Sequence, residues 1–287
     1  MERRCKLDIA VIGATGVLGR HVIPRLVERK HHVRAIVRQP EQARRFQRIG
    51  VEAIVGDILN PDTLVPATFH CDAALHIATA IPKAGQVQDW SLNDRIRRQG
   101  TRNFVSACQE NGVRRYVQQS ITLLYGDHGT NIVDEGPALQ PAPITQSAYD
   151  MESLVQGTCF DWCILRGGLF YGSGTGREDE WRQSAHAGNL HLPGDGTALI
   201  SLVHVVDMAR AVVMAVESAA ARSIYNVVDD QPVDYRTLYN YVAAQVNGAE
   251  PRSGGEIVLP SLGCSNASIK TELGWEPLYA TYRAGLA

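Results

Sequence analysis

The sequence predicts an α/β fold, a doubly wound parallel sheet joined to a small, interleaved C-terminal cap. Three observations carry this. Short apolar runs alternate with amphipathic stretches over the first 230 residues, the mark of βαβ units and a parallel sheet. Several runs are apolar on both faces, as strands are when helices cover both sides of a sheet. The first run leads straight into a glycine-rich turn and a helix. With 287 residues, 45% of them hydrophobic, the chain can bury a large core as one large domain or two interleaved ones.

In chain order, strands are expected over 7–12, 33–37, 51–55, 73–77, 116–119, 162–165 and 225–228. Helices are expected over 17–29, 93–111, 147–157 and 207–218. No internal repeat or low-complexity tract interrupts the pattern. Gly- and Pro-rich stretches at 126–143, 167–176 and 193–196 read as loops around a site. After Asp229 the pattern becomes smaller and irregular, ending in KTELGWEPLYATYRAGL. The expected division is 1–168 with 199–228 for the sheet domain, and 169–198 with 229–287 for the cap.

The formal net charge of −2 lacks the basic excess of a nucleic-acid binder. No apolar run reaches the ~18 residues needed to span a bilayer, and MERRCKLDIAVIG is too short in its apolar stretch for a secretory signal. Cys5, Cys71, Cys108, Cys159, Cys163 and Cys264 form no CxxC pair, so reduced thiols in a cytoplasmic protein are expected. Asp179, Glu180, His186 and His191 show no metal-ligand spacing, and no metal is expected. Of the basic residues 24 are Arg and 4 are Lys, with no lysine between Lys83 and Lys270.

Residues 7–19 read LDIAVIGATGVLG. Gly13 permits a tight turn, Gly16 lets backbone approach a pyrophosphate, and Gly19 lets the helix pack closely on the strand. Thr15, Val17 and Leu18 complete the turn and first helical residues, whose free N–H groups face an anion. The bland alternative is an ordinary strand–helix turn that needs glycine; strand, turn and helix in sequence favour a dinucleotide. At the end of the second strand, HVRAIVRQP places Val37 where an NAD site carries Asp or Glu, and Arg38 follows. Arg suits a 2′-phosphate, so NADPH is the expected cofactor. NADH is the alternative, with Arg38 then a solvated surface charge.

These residues, with others downstream, resemble the short-chain dehydrogenase/reductase superfamily in its extended form, over nearly the whole chain. GATGVLG matches its glycine loop within a Rossmann domain. VGDILNPDTL carries Asp57 and Ile58, which the resemblance places beside the adenine. HIATAIP resembles the segment lining the nicotinamide ribose, with Ala78, Thr79 and Ala80. RYVQQSITLLYG looks like the fifth strand with its catalytic serine, Ser120. ILRGGLFYGSGTG is similar to the loop that closes over the nicotinamide, with Gly168, Leu169 and Phe170. The later segments SLVHVVDMARAVVMAVE, SIYNVVDDQPV and ELGWEP match as well, and the cap is then a substrate-binding one.

One departure matters most. The superfamily's usual site pairs a Tyr with a Lys four residues later, the Lys lowering the Tyr pKa and holding the ribose. The matching helix reads ITQSAYDMESLVQG. If Glu152 aligns with the family's Glu, Ile144 and Ala148 hold the Tyr and Lys places. If Tyr149 is the Tyr, Ser153 holds the Lys place. Neither register has a lysine, so the chain looks like an atypical member. Ser120 remains a candidate hydrogen-bond donor to a developing alkoxide, or a strand-end serine satisfied by backbone; Thr122 is a second choice. Tyr149, a phenol without an activating lysine, is a candidate proton donor and equally a helix residue at a pocket edge. His204 and Asp207 are expected to be structural, Asp207 as a helix cap. Asp57 and Arg166 are expected to anchor loops.

The function expected is an NADPH-dependent ketoreductase acting on a bulky ketone, of the polycyclic polyketide kind met in antibiotic tailoring. Met151, Tyr171 and Trp181 are the expected substrate-lining residues. An internal hydrogen bond from a peri-hydroxyl would feed the carbonyl its proton. The alternatives are a nucleotide-sugar epimerase or dehydratase, and a non-enzymatic NADP(H) sensor. A monomer and a homodimer are both compatible with the sequence, and Gly172, Gly174 and Gly176 suit a lid that closes on binding.

Overall fold

A computed structural model describes residues 6–82 and 89–287; Cys5 and Lys83 lie outside the described residues. Each of the seven expected strands is present: β1 (Asp8–Ile12), β2 (His32–Val37), β3 (Glu52–Val55), β4 (Ala73–His76), β5 (Arg115–Ile121), β6 (Asp161–Gly167) and β7 (Ser223–Val227). They form one parallel sheet in the order β7-β6-β5-β4-β1-β2-β3. β1 pairs with β2 on one side and with β4 on the other. The order therefore reverses direction at β1, the switch point where open α/β sheets bind ligands.

The chain forms two compact units. The first comprises residues 1–120, 144–165 and 209–224. Its first helix, α1 (Val17–Glu28), buries Leu18, Val22 and Leu26 at four-residue spacing, and each such side chain contributes roughly 1.5–3 kcal/mol. α2 (Pro40–Gln47) starts in a capping box between Gln39 and Gln42. The helix expected over 93–111 is divided into α3 (Ser91–Arg95), a π turn (Ile96–Gly100) and α4 (Thr101–Glu110). Gly100 sits in that turn because a Cβ there would meet the Ile58 side chain at 3.0 Å. α5 (Gln146–Gln156) buries Ser147, Ala148, Met151, Glu152 and Val155.

The second unit comprises 121–143, 166–208 and 225–287. It differs from the expected cap by including 166–168, 199–208, 225–228 and, most of all, 121–143, whose bonds give the reason. Ile132–Val133 pairs with Gly263–Cys264, Ser261 N donates to Asp127 (3.0 Å), and Glu135 accepts from Asn226 N and Ser268 Oγ. A separate core here joins Trp181 of α6 (Arg177–His186) to Leu202, Tyr282 and Leu238, the last from α8 (Tyr235–Gln245). The intervening helix is α7 (Val205–Ser218). No described helix is long and apolar enough to cross a membrane.

Candidate active site

In the first unit, the turn between β1 and α1 is shaped by backbone crowding. Gly13 has φ +93°, and a Cβ on it would lie 2.6 Å from Ala78 N. A Cβ on Gly19 would collide with the carbonyls of Gly13 and Ala14. Gly16 caps α1 without a side-chain hydrogen bond, and no acidic residue occupies the first turn. The N–H groups of Val17, Leu18 and Gly19 thus stay open to an anion. Arg20, which the sequence reading passed over, donates from Nε to the Thr15 carbonyl (3.3 Å) and adds positive charge beside the turn. This cradle fits the pyrophosphate of a dinucleotide.

Arg38 follows β2 directly and is exposed, while Val37 is buried. Among the described residues no carboxylate pairs with Arg38. Asp57 anchors its loop: Oδ1 accepts from Leu59 N (2.9 Å), and its own N–H donates to Thr63 Oγ1 (3.0 Å). Ile58 is buried, and its carbonyl accepts from Asn103 (3.0 Å). Beyond β4, Ala78 and Ala80 are half-buried and Thr79 is exposed. Ala80 N donates to Asn93 Oδ1 (3.0 Å), which pins this segment to α3.

Ser120 lies inside β5, which runs two residues past its expected end. Its hydroxyl donates to Glu152 Oε1 at 2.5 Å, and both residues are buried. A carboxylate of α5, and not backbone, satisfies it. Ala148 and Glu152 share the buried face of α5, whereas Tyr149 is 38% exposed and Ser153 is exposed beside it. On α5 the register through Glu152 is inward at Ala148, whereas Ile144, its expected Tyr place, lies before the helix and is 41% exposed. Met151, expected to line the substrate, is buried on the same helix.

In the second unit, a Cβ on Gly168 would lie 2.5 Å from Ser201 O. Leu169–Tyr171 pairs in parallel with Leu202–His204, leaving Leu169 and Phe170 half-buried. Arg177 Nε donates to the Phe170 carbonyl (2.9 Å). Thr122 Oγ1 reaches Gly167 O at 3.4 Å. Tyr171 and Trp181, expected at a substrate surface, are core side chains. Tyr171 is fully buried, edge-on to His204 at 5.2 Å. The Asp207 carboxylate, in the first turn of α7, accepts from Leu278 N (2.8 Å) and Tyr279 N (2.9 Å), and so anchors the C-terminal segment. Arg166 Nη1 donates to Tyr125 OH (2.8 Å). Burial pushes Asp229 up to about 8, so its carboxyl is protonated at neutral pH. Among the described residues no group of three or more His, Cys, Asp or Glu could hold a metal.

The comparisons with known proteins agree with this geometry. A family model described as NAD(P)H-binding matches residues 13–218. A 3-diazoavenalumate denitrifying reductase from a Streptomyces species is 30% identical over 98% of this chain and 99% of its own length. A 4-hydroxy-2-methyl-3-oxo-4-farnesyl-3,4-dihydroquinoline-1-oxide ketoreductase from Stigmatella aurantiaca is 26% identical over 79% of this chain and 70% of its own. In fold, a dTDP-glucose 4,6-dehydratase from Streptomyces venezuelae, with NAD bound, superposes with a TM-score of 0.84 at 20% identity, over 98% of this chain and 95% of that one. The chain belongs to the NAD(P)H-binding family and is an NAD(P)H-dependent oxidoreductase.

Proposed function

We propose that this oxidoreductase is an NADPH-dependent ketoreductase delivering hydride to a carbonyl of a bulky, polycyclic ketone of the polyketide kind, without a Tyr–Lys pair. The observation that carries the reading is the inward face of α5. It presents Ala148 and a Glu152 already engaged by Ser120, beside a fully formed phosphate turn. The ketoreductase relative acts, by its name, on a 3-oxo quinoline oxide bearing a farnesyl group, which supports a large, apolar acceptor here. The reversible sugar oxidation of an epimerase needs a base that this helix lacks, so that alternative is the weaker one.

The bound nicotinamide supplies hydride. The chain's part is to bind and orient: the open N–H groups of α1 hold the pyrophosphate and Arg38 the 2′-phosphate. Such positioning contributes ~7 kcal/mol or more, against the ~10²–10⁴-fold typical of general acid–base help. The single proton of the Ser120 hydroxyl is held by Glu152 Oε1, so the oxygen that gains charge takes its proton from a neighbouring hydroxyl of the ketone itself. The test is NADPH consumption with mass spectrometry of products, across polycyclic hydroxyketones and nucleotide sugars. A gain of two hydrogens on a polycyclic ketone is expected; turnover of nucleotide sugars alone sinks the reading.

A second reading is favoured by the 30% identical relative, namely reductive removal of a diazo group. Hydride there takes the place of departing dinitrogen, and no oxygen needs a proton, which also suits the missing pair. Adding an aryl diazonium compound to the panel and following dinitrogen release decides between the two.

A further inference from the structure

Arg97 is buried in the first unit at 5% exposure, in the π turn between α3 and α4, a type of irregularity frequent at functional sites. With Asn93 and Thr101 it forms a face of polar side chains turned inward. Asn93 Oδ1 holds Ala80 N at 3.0 Å, and Thr101 Oγ1 lies 3.2 Å from His76 Nε2. The Arg97 guanidinium itself reaches Ser147 Oγ at 3.4 Å, the residue before Ala148 on α5. Asn93 Nδ2 is buried in the same face without a hydrogen-bond partner.

No carboxylate among the described residues forms a salt bridge with Arg97. Asp94, the acid whose charge reaches Arg97, is paired with Arg98. Burial lowers the Arg97 pKa to about 10, so the group stays cationic at neutral pH. Burial, with the Arg97 charge as a lesser cause, holds His76 near 3, so it is neutral there. A buried charge left unpaired is costly, and such groups concentrate at functional sites.

Its position gives the charge a task. A dinucleotide bound at the switch point beside β1, with Arg38 after β2 taking its 2′-phosphate, would put its nicotinamide half on the side of β4 and β5, where the 77–80 segment and Ser120 are. We propose that Arg97 is a fixed positive charge at the hydride-donating end of the cofactor site, biasing it toward the neutral reduced nicotinamide and against the cationic oxidised ring. It works by electrostatics alone, since arginine gives up no proton at working pH. The inference rests on the reductase reading only for the direction of hydride flow.

The test needs no substrate. Dissociation constants for NADPH and NADP+ are measured calorimetrically on the wild type, Arg97→Gln, Arg97→Met and Arg97→Lys, with melting temperatures as a folding control. Gln keeps a donor for Ser147 without the charge, and Lys keeps the charge. The wild type and Arg97→Lys are expected to prefer NADPH. The neutral variants are expected to lose on the order of tenfold of that preference, chiefly by binding NADP+ more tightly. An unchanged ratio in a folded neutral variant, or a lost preference in Arg97→Lys, overturns the proposal. Because no ketone is present, a panel that yields no reduced ketone beside a shifted ratio would refute the ketoreductase and leave Arg97 standing.

Discussion

At the turn after β1, any L residue in place of Gly13 would bring a Cβ to 2.6 Å from Ala78 N, at a φ of +93°. At α5 the sequence reading puts Ile144, two residues before the helix, and Ala148, within it, in the places of a phenol and an amine, and the helix still buries Ser147, Ala148, Met151 and Val155. Both regions belong to the first unit. The turn is dictated by backbone geometry, which the fold and the cofactor both require. The helix face carries only side-chain chemistry, which can be exchanged without disturbing the fold. Retained binding and altered chemistry are therefore separable in this protein, and substitutions in the two regions should behave differently.

The largest effect is expected at Gly16. Its φ is −70°, and a Cβ would approach nothing nearer than Gly13 O at 3.2 Å, so the fold tolerates a side chain. Valine there fills the space a pyrophosphate occupies. Gly16→Val should weaken NADPH binding by about 100-fold or more, with a melting temperature close to wild type. Retained affinity in calorimetry would remove the phosphate role from this turn.

Arg38→Ala comes next. It should weaken NADPH about tenfold or more and leave NADH nearly unchanged, measured as paired dissociation constants. Equal losses would mean that Arg38 does not read the 2′-phosphate. The places of Val37 and Arg38 were legible in the sequence, because the apolar run of β2 ends at Val37. The seven sheet strands were legible for a similar reason: β1 reads as the apolar run Ile9–Ile12 after Asp8, and it is buried at each of those four residues. Ser120's partner was not. Glu152 is 32 residues away along the chain, and only the packing of α5 on β5 brings the two together. Nor was the burial of Arg97, which a sequence reads as one more arginine among 24. Tyr171 and Trp181 misled for the opposite reason: large aromatics suit a pocket wall and a core equally well, and the second unit uses them to fill its core.

Ser120→Ala probes the boundary between the two regions. It removes the donor from Glu152 Oε1 in a buried site, which costs about 1–3 kcal/mol and should lower the melting temperature by several degrees. With its proton committed to Glu152, the serine acts on the ketone only through position, and kcat should fall by about tenfold or less, below the ~10²–10³-fold that loss of an oxyanion donor costs. A fall near ten-thousandfold with normal NADPH affinity would instead make Ser120 the centre of the chemistry.

The smallest effect is expected at Tyr149, and it bears most directly on the comparison. The phenol sits on the exposed side of α5, 38% accessible, while the inward register runs through Ala148 and Glu152. A proton donor of the usual kind needs its hydroxyl held against the acceptor oxygen and a cation nearby to make it acidic; the only four-residue partner it has is Ser153. Phenylalanine keeps the ring and removes only the hydroxyl, so helix packing is preserved. Tyr149→Phe should retain kcat for ketone reduction within about threefold, because the ~10²–10⁴-fold that acid–base help typically supplies is not drawn from this side chain. A loss of two orders of magnitude would place the phenol at the reacting oxygen, move the register to Tyr149 and Ser153, and mean that α5 kept half of the superfamily's pair.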